Sequence, residues 1–203
     1  SNELDLPAGY SVTWSGQYEY MLRAKEKLTY VVPLTLAIIV ILLFLNFRRF
    51  AEVGIIMGTL PFSMIGAIWL MYLLGYNFSV AVGVGFIALA GVAVEIGVIM
   101  LVYLNQSYRE MVETCEQKGL TPRRETLRHA VLHGAGLRVR PVMMTAAAIV
   151  CGLVPIMIGG GTGSEVMGRI AAPMVGGMIT AVILALLVIP VLFYLWKQKS
   201  VEK

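Results

Sequence analysis

The chain has 203 residues, 58% hydrophobic and 14% charged, with a mean hydropathy of +0.80. That apolar share exceeds the usual composition of a soluble domain. The net charge of +4 is spread through short loops without interleaved aromatic rings, so no nucleic-acid partner is expected.

Residues 1–28 read as the tail of a water-soluble domain followed by a lead-in helix. Tyr10–Ser15 alternates like a strand that Gly16 ends. From Gln17 a helix is expected to run into the first of five apolar spans, near 30–47, 53–74, 79–105, 142–159 and 170–196. About 20 apolar residues cross the hydrocarbon core of a bilayer. Asn46–Glu52 and Gly75–Phe78 read as tight turns, and 106–141 as the one long loop. Within that loop, Thr121 and Pro122 signal a helix start. The helix is expected to run to His133 along the membrane surface, with Leu127, Ala130 and Val131 on one side. Pro173 and Pro190 fall in the last span, where neighbouring helices resatisfy the backbone. With the N-terminal segment outside, twelve Lys and Arg side chains lie on the inner side and four on the outer, so the C-terminus is expected to be cytoplasmic. No signal peptide is visible, and the chain, starting at Ser1 with an odd number of spans, reads as the C-terminal piece of a larger protein.

Glu95 is the one charged side chain in Ser79–Asn105. A carboxylate in mid-membrane costs a few kcal/mol on insertion scales, so it needs a partner, water or a proton. Ala81, Ala88 and Gly91 share its face, and small residues let another helix approach. Glu95 is therefore expected to point into a helix–helix contact.

Metal chemistry has three sequence candidates. His129 and His133 stand four apart with no third ligand in sequence. Met57, Met64 and Met71 recur every seven residues and read as packing. Met167, beside Glu165 and a glycine-rich stretch, is placed where a soft metal ion has access. Cys115 and Cys151 belong to different environments and suggest no disulfide. GGGTG at Gly159–Gly163 lacks the lysine and the preceding strand of a phosphate-binding loop.

Several motifs in order carry a family resemblance. GLRVRPVMMT (Gly136–Thr145) resembles the RxRPxxMT signature opening the eleventh helix of resistance–nodulation–division efflux pumps. Phe86–Leu101, Gly152–Met157, Gly163–Thr180 and Leu6–Glu19 resemble the heavy-metal branch, and most of all its copper/silver exporters. The resemblance implies an all-α transmembrane bundle of five spans, helices eight to twelve of twelve, with a short strand and helix left from a periplasmic α/β domain. It implies proton-driven efflux of Cu(I) or Ag(I) as substrate, with protons as the coupling ion and no cofactor. It also implies a homotrimer in the bacterial inner membrane, in contact with lipid, a periplasmic adaptor and an outer-membrane channel.

Residue by residue, Glu95 matches a relay position that is lysine in multidrug members and glutamate in copper/silver members. Thr145 matches the signature threonine of the relay. Arg138, seven residues before Thr145, and Arg140 are the cations available to it, because Val142 stands where some copper/silver members carry lysine. Met167 matches a methionine of the thioether pathway. Competing readings are the same fold exporting divalent metals or organic compounds, an auxiliary for protein export or lipid handling, and a membrane-embedded enzyme. The enzyme would need a second acid or a metal motif, but no HExxH occurs and no Asp lies in a span.

Overall fold

The computed structural model describes residues 17–119, 123–161 and 163–201. The strand read over Tyr10–Ser15 lies outside them. The chain forms two compact units, Ser1–Ile39 and Val40–Lys203.

Every regular element described is helical: α1 (Gln17–Phe47), α2 (Phe50–Leu73), α3 (Val80–Gln117), α4 (Arg124–Ile158), α5 (Ser164–Ile183) and α6 (Ile189–Val201). A π-helical turn, Leu184–Val188, joins α5 to α6. Pro190 explains it, since a proline lacks the N–H for the α-helical ladder and clashes with the carbonyl four residues back. Five of the resulting rods are long and apolar enough to cross a membrane, and the chain is a multi-pass membrane protein.

The turns follow local chemistry. Two residues, Arg48 and Arg49, link α1 to α2, with Arg48 at φ 55° and the Phe44 and Phe50 rings 4.4 Å apart. Gly75, at φ 67°, closes α2 in a Schellman arrangement: Tyr76 N–H donates to Met71 O at 3.0 Å and Gly75 N–H to Tyr72 O at 3.2 Å. Ser79 caps α3, its Oγ accepting from Val82 N–H at 3.4 Å.

Segment 106–141 differs from the expected loop. α3 continues unbroken to Gln117, and α4 begins at Arg124 and runs through Pro141 to Ile158. At about 1.5 Å per residue, the 38 residues of α3 extend about 57 Å, well beyond a hydrocarbon core of about 30 Å. The helix predicted to lie along the membrane is thus the first half of α4, packed back along α3. Leu127 and Val131 are buried on α4, as are Leu104 and Cys115 on α3. A methyl group on Gly134 would lie 3.0 Å from Ser107 Oγ, so the two helices meet closely there. These apolar positions fuse what polarity alone reads as a loop.

The core of the second unit lies where α2, α3 and α5 converge. Leu60, Ala93 and Ala181 meet at its centre, with Met57 against them. Glycines allow the closest approaches: a methyl on Gly176 would sit 2.5 Å from Gly66 O and 2.6 Å from Leu70 Cβ. Thr180 Oγ1 crosses this contact, donating to Ser63 O at 2.7 Å.

Candidate functional site

On α3 the buried residues Val82, Leu89, Ala93, Ile96, Met100 and Leu104 form the stripe against α2 and α5. At about 100° per residue, Glu95 falls on the opposite side. It is exposed, as is Gly91 one turn earlier, and a methyl on Gly91 would meet nothing within 4 Å. The helix–helix contact expected for Glu95 is therefore not made within this chain. Its side chain stands on an open apolar face, between Ile87, which is exposed, and Val102, also exposed.

Thr145 is exposed on α4. Its Oγ1 donates to Pro141 O at 3.0 Å, which ties the hydroxyl to the turn that proline disrupts. Met143 and Met144 beside it are exposed as well, while Val142 is buried. Arg138 lies half-buried against α3, its guanidinium carbon 3.9 Å from the centre of the Tyr103 ring. That is a close cation–π arrangement. Its Nε is buried with no hydrogen-bond partner. Arg140 points outward and is exposed. No hydrogen bond or ion pair joins Glu95, Arg138, Arg140 and Thr145 among the described residues. The chain supplies these groups on its own surface without bringing them into one cluster.

Met167 is exposed in the first turn of α5, after Gly163 at φ 90°. A methyl on the adjacent Gly168 would lie 3.5 Å from Tyr76 Oη, so Met167 stands at the end of the bundle that holds the α2–α3 turn. The Met57–Met71 stripe packs: Met71 is buried and Met57 lies against the central cluster. His129 and His133 line a groove of about 490 Å³ with Glu110, Met111 and Cys115. Even so, no three His, Cys, Asp or Glu side chains converge on a metal-sized site among the described residues.

One polar cluster was not singled out in the sequence. Glu52 and Lys197 are 2% and 5% exposed. They face a cleft that Arg49, Asn105, Tyr108 and Arg109 also line. Read along the chain, Glu52 closes a turn and Lys197 is one of several terminal basic residues. The available signal was spacing: Phe193 and Lys197 lie one helical turn apart and share a face.

The family model described as AcrB/AcrD/AcrF matches residues 1–197. The cation efflux system protein CusA of Escherichia coli (strain K12) is 49% identical over 195 residues, covering 96% of this chain and 18% of that protein. The cobalt-zinc-cadmium resistance protein CzcA of Cupriavidus metallidurans is 36% identical over 199 residues, covering 98% of this chain and 18% of that one. A crystal structure of a heavy metal efflux pump superposes with a TM-score of 0.74 at 36% identity, over 94% of this chain and 18% of that one. The chain thus spans about a fifth of the length of the curated relatives it matches. It belongs to the AcrB/AcrD/AcrF family, the resistance–nodulation–division group that its motifs resemble.

Proposed function

We propose that this chain is part of a proton-driven exporter of monovalent copper or silver in the bacterial inner membrane. The observation that carries the reading is Glu95: a lone carboxylate in the most apolar part of α3, left uncovered by its own bundle. The likeness to a heavy metal efflux pump supports metal export, and the higher identity to the cation efflux system protein CusA than to the cobalt-zinc-cadmium resistance protein CzcA weighs against a divalent exporter.

In this reading a helix from the rest of the pump seats on the Gly91–Glu95 face and brings the relay partner. Protonation cancels the charge of Glu95 and with it the desolvation cost, so the contact repacks. Each proton moving with the field supplies about 2.3 kcal/mol per 100 mV. Thr145 offers a hydroxyl on the same kind of open face, and Arg138 or Arg140 the positive charge that Val142 does not. Met167 is a transient thioether ligand, suited to Cu(I) and Ag(I). The N-terminal segment is periplasmic and the C-terminus cytoplasmic, following the twelve-to-four basic asymmetry. The full pump works as a homotrimer with a periplasmic adaptor and an outer-membrane channel.

The test is transport by the full-length protein in vesicles under an imposed pH gradient, with Ag(I), Cu(I) and Zn(II) compared. Export of silver and copper without zinc is expected. Export of zinc alone would transfer the reading to the divalent exporters.

A further inference from the structure

Two hydroxyls are buried in the middle of α2, with Thr59 8% and Ser63 1% exposed. Each donates its proton inside the helix, Thr59 Oγ1 to Ile56 O and Ser63 Oγ to Leu60 O, both at 2.7 Å. Each oxygen keeps lone pairs that can still accept. Both side chains line a cavity of about 10 Å³, together with Ala185 and Ile189 of the α5–α6 span and the small walls Ala93 and Ala181. That is about the room one water molecule needs.

The α5–α6 span presents a carbonyl to the same place. In an α-helix Ala185 O would accept from the N–H of Ile189, four residues on. Here Ile189 N–H donates to Leu184 O instead, in the π-helical turn. The π-helical donor to Ala185 O would be residue 190, and that residue is proline, which has no N–H. Ala185 O therefore has neither ladder donor. Its carbonyl runs along the axis towards Ile189, and these two buried residues at the ends of the broken turn both line the cavity. In a bilayer, backbone groups freed by proline are resatisfied by neighbouring helices, by hydroxyls or by ordered water. The Thr59 and Ser63 hydroxyls already donate within α2, so they meet Ala185 O as acceptors facing an acceptor. A donor between them is required, and water brings two.

We propose that this cavity binds one ordered water molecule, which donates to Ala185 O on one side and to the Thr59–Ser63 hydroxyl pair on the other. The water ties α2 to the broken turn and lets the α5–α6 span bend at Pro190 with its backbone satisfied. The proposal does not depend on the exported ion, so it stands or falls apart from the transport reading.

The experiment is a density map of the full-length protein at a resolution that shows ordered water. A peak is expected within about 3.2 Å of Ala185 O and of one of the two hydroxyl oxygens. Thr59→Val combined with Ser63→Ala removes both hydroxyls and should lose the peak. Pro190→Ala restores an N–H at position 190, which gives Ala185 O a donor in either helical form, so the peak should be lost there too. That single variant carries the test if the double one misfolds. The hydroxyl substitutions should also lower the melting temperature more in the Pro190 protein than in the Pro190→Ala background, because the two sites share one bridge. No peak in the wild-type cavity where other buried waters are seen, a peak retained in either variant, or an equal melting-temperature loss in both backgrounds would each overturn the proposal. So would oxygen distances below about 2.6 Å, which indicate a metal cation.

Discussion

The glycine contact between α2 and α5 and the glycine face around Glu95 share a sequence signature but differ in what surrounds them. A methyl group on Gly176 would strike the backbone of α2, whereas one on Gly91 would meet open space. The most apolar stretches of α2, α3 and the continuous α5–α6 span are each 39% buried, against 11% for α4, which carries Thr145. In a bilayer both faces are dry, so burial within the chain reflects which helices are present rather than polarity alone. The filled contact holds this bundle together. The open one, with an ionisable group at its centre, is where the account places coupling to the rest of the pump.

That difference is open to mutation. The largest effect is expected at the filled contact. Gly66→Leu and Gly176→Leu force side chains into backbone, at or beyond the ~1–3 kcal/mol typical of overpacking. Membrane levels of the full-length protein should fall severely on immunoblots. Gly91→Leu should leave membrane levels near wild type while lowering transport, because it fills the space reserved for another helix. Equal loss of protein in all three variants would erase the distinction between the two faces.

A smaller effect sharpens the open face. Arg138 lies on Tyr103 with an unpaired Nε, while Arg140 is exposed. Arg138→Ala should lower proton-coupled silver transport more than Arg140→Ala. Small and equal effects would favour a relay built on carboxyl groups alone.

The smallest structural disturbance probes the metal. Met167→Ile keeps bulk and apolarity but deletes the sulfur, at an exposed position. Silver and copper resistance should fall at matched membrane levels, with zinc tolerance unchanged. Met64→Ile, in the packing stripe of α2, should be nearly neutral. Unchanged silver resistance in Met167→Ile would return that residue to packing.

The spans were legible because twenty-residue apolar runs interrupted by Gly, Pro and basic turns have few alternative readings in a bilayer. The helical extension through 106–141 was not, since its polarity resembles a loop and its few buried residues, Cys115 on α3 and Leu127 and Val131 on α4, gain meaning only when the two helices pack together. Glu95 was legible as an ionisable outlier, but its exposure was not. Spacing identifies a face without naming the helix that covers it. Glu52 and Lys197 escaped notice for the opposite reason: each sits among other charges at a helix end, and only the fold buries them together.

The central claim is that Glu95 carries protons for transport without holding the fold together. Its most direct test is Glu95→Gln in the full-length pump, reconstituted in vesicles, with silver and proton fluxes recorded together and thermal stability measured alongside. The account predicts loss of both fluxes with a melting temperature close to wild type, since the side chain touches no core residue of this bundle. Wild-type coupled fluxes in that variant would contradict it.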